Sequence, residues 1–197
     1  MTKADARQSA ARFPSGWLVI ALLVVTAIVW AALILVTVPH LQSLVGGADP
    51  FDLRWYGYSE ADARKLLDAL GPQGRAYYLV PEQALDMVFP PLYAASRGLA
   101  LWWLTMPGRL CNGAMPIGWR WMLVAFPCAE LIFDWSENAC VASMILNWPD
   151  LSPALVRFSS FATQVKFGAA ALTEISVIVL AAVALVRWRQ RRWRTGY

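Results

Sequence analysis

The chain has 197 residues, 58% of them hydrophobic and only 15% charged, with a mean hydropathy of +0.46. A soluble domain carries about 25% charged residues, so the polar surface falls short and lipid as the solvent accounts for the shortage. The formal net charge of +4 does not signal nucleic-acid binding: Arg187, Arg189, Arg191, Arg192 and Arg194 crowd the C-terminal end with no recognition motif beside them, as a cytoplasmic flank does.

Residues 1–15 are short, polar and basic, and an uncharged apolar run follows from Gly16 to Val38. That run is long enough to span a bilayer and longer than the apolar core of a signal peptide, so it reads as a retained first span with its N-terminus inside. Pro39 is expected to end it. Residues 39–76 then form a periplasmic segment in which Arg54, Arg64 and Lys65 offset Asp49, Asp52, Glu60, Asp62 and Asp68. Within it Ser59 is a good N-cap with Asp62 three residues on, and Ala63, Leu66, Leu67 and Leu70 share a face before Gly71-Pro72 stops the helix. This is a short amphipathic helix lying at the outer interface or over the bundle mouth.

The second span, residues 77–104, contains Pro81, Glu82, Asp86 and the pair Pro90-Pro91, so it must bend or break. The prolines deprive the carbonyls of Asp86 and Met87 of helical donors, and a freed carbonyl at membrane depth needs water, a side chain or a cation. Glu82, Asp86, Phe89, Tyr93 and Arg97 lie along one face of this span. No acid occurs from Met87 to Ala129, which assigns the loop at 105–118 to the cytoplasm. The third span covers 118–147 and the fourth 153–186. On the fourth, Ser159, Thr163, Lys166, Ala170 and Thr173 recur at four- and three-residue steps, a seam suited to close packing. The expected fold is all-α: an integral four-helix membrane bundle in one domain, with the amphipathic helix between helices one and two and both termini cytoplasmic. The three cysteines make no disulfide framework: Cys128 and Cys140 are about 18 Å apart along one helix, and Cys111 falls in the cytoplasmic loop.

The third span carries the chemistry. Glu130, Asp134, Glu137 and Asn138 fall within an arc of roughly 100°, and each carboxylate costs about 2.5 kcal/mol or more at mid-bilayer, so the arc must face protein, water or a ligand. Helical rise puts Asp86, Asp134, Glu137, Asn138 and Lys166 in one layer between the outer half and the midplane. These are the candidate ligand-binding or proton-handling residues, with Glu82, Glu130 and Tyr93 secondary to them. Five carboxyl groups face a single amine, so some of them are expected to hold protons unless water or cations enter. A metal is not expected, because Lys166 repels cations and His40 lies outside the layer. No cofactor motif, catalytic triad, phosphate loop or HExxH is present. A purely structural reading, with Lys166 and Asp134 stapling helices three and four and Asn138 as hydrogen-bonding glue, stands beside the functional one. Glu174 is a lone acid nearer the cytoplasm.

The phrases Gly57-Tyr58-Ser59, Ala69-Leu70-Gly71, Gly74-Arg75, Leu85-Asp86 with Phe89-Pro90 and Tyr93, and Asp134 with Glu137-Asn138 and Met144 resemble an uncharacterised family of small four-helix bacterial membrane proteins. The resemblance implies the topology and brings no activity with it. Together these readings describe an inner-membrane protein with membrane lipids as partners. Its outward-facing carboxylate/lysine site binds or acts on a lipid-like or small polar ligand, whether by acid–base chemistry or by moving protons or solutes. The rival reading is an accessory or assembly subunit docked on a membrane protein partner.

Overall fold

A computed structural model describes residues 15–107, 110 and 115–195, which are all-helical apart from short connections. The expectations for Cys111 and residues 1–14 lie outside the described residues.

Helix α1 runs from Gly16 to Leu44, six residues past the expected end at Val38. The reason is a π turn at Leu33–Thr37, where the Val38 N–H reaches back to the Leu33 carbonyl. Pro39 then falls in the first turn of the segment that follows, where a missing N–H is tolerated. The chain leaves the helix through Gly46 and Gly47, both at positive φ. A 3₁₀ turn at Phe51–Leu53 leads toward helix α2, Glu60–Tyr77.

Helix α2 starts on a full capping box. The Ser59 hydroxyl accepts from the Asp62 N–H at 3.2 Å, and the Ser59 N–H donates to Asp62 Oδ2 at 2.9 Å. Ala63, Leu66, Leu67 and Leu70 are buried, while Asp68 stays exposed and Glu60 pairs with Arg64 at the surface. The apolar edge packs on Leu41 at the end of α1, on Val141, Met144 and Ile145, and on Leu151 and Val156. The helix thus packs across the end of the bundle where Leu41, Met144 and Leu151 meet. Gly71 (φ 60) breaks the helix, and Pro72 opens a new helical stretch, so the second long segment starts there and not at Tyr77.

That stretch continues through a second π turn, Tyr78–Glu82, which holds Pro81, and a short turn Gln83–Asp86. It breaks at Met87–Val88 before helix α3, Phe89–Leu104. The Met87 carbonyl, which Pro91 cannot serve, accepts instead from the Trp135 indole at 3.2 Å. Helix α4 spans Ile117–Leu146 and helix α5 Pro153–Thr195. α5 passes well beyond the expected close near Val186. Arginine is a strong helix former, and no glycine or proline lies between Val186 and Gly196.

Helices α4 and α5 pack along their length with Ser159, Thr163 and Thr173 fully buried on the seam. α3 packs on α4 and α1 packs on α3, but α1 makes no extended contact with α5. A cleft is left between them. α1 and α5 are each long and apolar enough to cross a membrane.

Candidate functional site

The cleft holds a cavity of about 450 Å³ with two unlike walls. Thr26, Ala27, Trp30, Leu33, Ile34 and Val38 of α1 make one largely apolar side, while Asp52, Glu82, Asp86, Glu130, Asp134 and Lys166 are set among Leu53, Phe89, Tyr93, Phe167 and Ala170 on the other. Arg97 and Glu174 border the cavity in an ion pair of 2.8 Å, so the acid read as lone has a partner. Both π turns border this cavity through Leu33, Ile34 and Glu82, as π turns frequently do at sites.

Lys166 is 7% exposed and its ammonium meets two carboxylates of α4: Glu137 Oε2 at 2.5 Å and Asp134 Oδ1 at 3.4 Å. Glu137 is completely buried, and its other oxygen accepts from the Thr163 hydroxyl at 2.6 Å. The shorter contact therefore belongs to Glu137, which faces α5 and away from the cavity lining. Asp134 Oδ1 is shared between Lys166 and the Asn138 amide at 3.2 Å. The same Asn138 Nδ2 donates to Asp86 Oδ2 at 2.8 Å, and Gln83 donates to the Asn138 backbone carbonyl at 2.9 Å. Asn138 thereby ties the broken second segment to α4. Asp86, Asp134, Glu137, Asn138 and Lys166 form one connected group. Glu82 and Glu130 border it along the cavity, and Tyr93 lies one helical turn beyond Phe89, its hydroxyl 3.4 Å from the Ala170 carbonyl.

One member was not legible in the sequence. Asp52, which reads as an ordinary loop acid, turns inward. Tyr78 holds it there by donating its hydroxyl to Asp52 Oδ2 at 2.5 Å while accepting from the Phe51 N–H at 3.0 Å. Phe51 is 0% exposed, and an aromatic ring in a Gly-, Asp- and Pro-rich stretch was the only local sign that this loop folds in. A second loop anchor is Tyr58. Its N–H donates to Ser160 Oγ at 2.8 Å and its hydroxyl to Ser159 Oγ at 2.6 Å. Burial first, and the nearby Glu137 carboxylate second, push the Tyr58 hydroxyl well above its ordinary range, so it stays a proton donor.

The charge on the polar wall is only partly matched. Glu174 has Arg97, and Asp134 and Glu137 have Lys166; among the described residues Asp52, Glu82, Asp86 and Glu130 have no cationic partner. Buried oxygens of Asp52, Glu82 and Glu130, and Asn138 Oδ1, accept no hydrogen bond at all. An acceptor-rich wall of this kind calls for donors, protons or cations from an occupant.

Fold and site together define an all-helical bundle with a buried carboxylate/lysine group opening into a half-apolar cleft. No family model, curated protein or solved structure matches the chain.

Proposed function

We propose that the chain is a multi-pass protein of the bacterial inner membrane that binds a lipid-like molecule in the cleft between α1 and α5. The apolar part of the ligand lies along Thr26–Val38, and its polar head faces Asp86, Asp134 and Lys166. The observation that carries this reading is the cavity of about 450 Å³ in which a largely apolar α1 wall faces a side that carries the carboxylates and Lys166, a combination that suits an amphiphile.

The membrane setting has its own support. Ile20, Val24, Val25 and Ile28 on α1 and Ile175, Ile178, Val179 and Val183 on α5 are exposed to the surroundings, which is costly in water and neutral in lipid. Trp17, Trp119, Trp121, Trp188 and Trp193 are exposed at one end of the bundle, where Arg187, Arg189, Arg191 and Arg192 also lie. An aromatic belt beside arginines fits a cytoplasmic interface. Of the phrases that resemble the small four-helix family, Asp86, Phe89, Tyr93 and Asp134 line this cleft. The accessory-subunit reading calls for a dry, fully paired cluster, and the four carboxyls without a cationic partner argue against it.

The test is native mass spectrometry of the protein released from its own membranes. A small amphiphile should leave with the wild-type chain near one to one. Ala27→Trp, which fills the cleft from the apolar wall, should release it without loss of helicity. Equal retention by both proteins, or none by either, overturns the reading.

A further inference from the structure

We propose that the outer end of the cleft is a binding site for one divalent cation of the hard type, Mg²⁺, Mn²⁺ or Ca²⁺, held by Asp52, Glu82 and Asp86. One carboxylate oxygen from each of the three lies within 4.8 Å of the other two. Around such an ion ligand oxygens sit at about 2.0–2.6 Å, so their mutual separations run up to roughly 5 Å, a range that includes this triad. All three ligands are oxygen, with no thiolate or imidazole, which selects the hard cations over zinc or copper.

An acidic trio alone would not establish a site. The second observation is that two of its oxygens are buried without donors. Glu82 is 2% exposed, lines the cavity, and its Oε2 has no hydrogen-bond partner; Asp52 Oδ1 is likewise buried and unpartnered. Asn138, 2% exposed with its amide against Asp86, adds a further orphaned acceptor, Oδ1. Tyr78 donates to Asp52 Oδ2 and Asn138 to Asp86 Oδ2, an arrangement that orients these two carboxylates as the outer shell of a metal site does. The objection that Lys166 repels a cation loses force, because its ammonium is engaged by Glu137 and Asp134.

A single positive charge, such as the amine of a headgroup, would leave three carboxylates undercompensated; a divalent ion compensates them better. The inference deepens the reading of the cleft as a binding site, and the two can fail separately. The experiment is Mn²⁺ binding to the full chain in nanodiscs of uncharged-headgroup lipid, followed by electron paramagnetic resonance of free Mn²⁺ and by thermal unfolding with and without EDTA. One Mn²⁺ per chain is expected, displaced by Mg²⁺ or Ca²⁺ and not by ethanolamine. Asp52→Asn and Glu82→Gln should each weaken binding at least tenfold, while Glu60→Gln on the outer face of α2 should not. Should either variant fail to fold, an EDTA-reversible rise in the wild-type unfolding temperature with Mn²⁺ still supports the site. No saturable Mn²⁺ binding, binding equal in the folded variants, or displacement by ethanolamine overturns it. Mn²⁺ binding without a retained amphiphile would sink the lipid reading and leave the cation site standing.

Discussion

Replacing Lys166 with methionine strands two buried carboxylates at once. At an effective dielectric of 20, a unit pair at the 2.5 Å of Glu137 attracts with about 7 kcal/mol, and one at the 3.4 Å of Asp134 with about 5 kcal/mol. Desolvating three charges offsets most of that gain, so the measurable consequence is the charge left behind. Breaking a buried pair costs about 3–5 kcal/mol. Converted at about 2–4 °C per kcal/mol for a chain of this size, the unfolding temperature should fall on the order of 10 °C. Adding Glu137→Gln to Lys166→Met should restore at least about 2 kcal/mol, because the most deeply buried stranded charge is gone. Adding Asp134→Asn should restore less, because its contact is longer and its carboxylate is less deeply buried than that of Glu137. The assay is tryptophan fluorescence during thermal unfolding in nanodiscs, run on both double-mutant cycles. A neutral Lys166→Met, or a larger coupling for Asp134 than for Glu137, refutes the reasoning.

Two further outcomes test how the outer segment is held. Gly57 has φ +85, and an added Cβ would meet Gln164 and lie 2.9 Å from Ser160 Oγ; Gly57→Ala should therefore cost about 1–3 kcal/mol through backbone strain and displacement of α5 side chains, and an unchanged unfolding temperature contradicts this. The Asp62 carboxyl is held below its ordinary value first by the Ser59 hydroxyl and then by the Ser59 N–H. Its contribution is thus full above the unfolded carboxyl pKa and is lost as pH falls through the lower folded value, so wild type and Asp62→Asn should converge in stability on acidification; a gap that stays constant to pH 3 refutes it.

Local signals in the sequence determined the helical elements and the face of α4 that carries the acids. Uncharged runs, the Ser59–Asp62 cap, the Gly71-Pro72 stop and the 100° arc from Glu130 to Asn138 depend on residues within a few positions of one another, where period and propensity act directly. The break before α3 was legible for the same reason, since Pro90 and Pro91 cannot donate. The π turns, by contrast, let Pro39 and Pro81 pass inside long helical stretches, and no local rule distinguishes such a proline from a stop. Which carboxylate takes Lys166 also depended on rotation between α4 and α5: Glu137 and Asp134 share one arc, and only packing on the Ser159–Thr163–Thr173 seam turns Glu137 toward the amine. Asp52 is the clearest case of a tertiary decision. Its place in the cleft rests on Phe51 entering the core and on Tyr78, 26 residues away, donating to its carboxylate, and a contact between distant residues leaves no period or spacing in the chain.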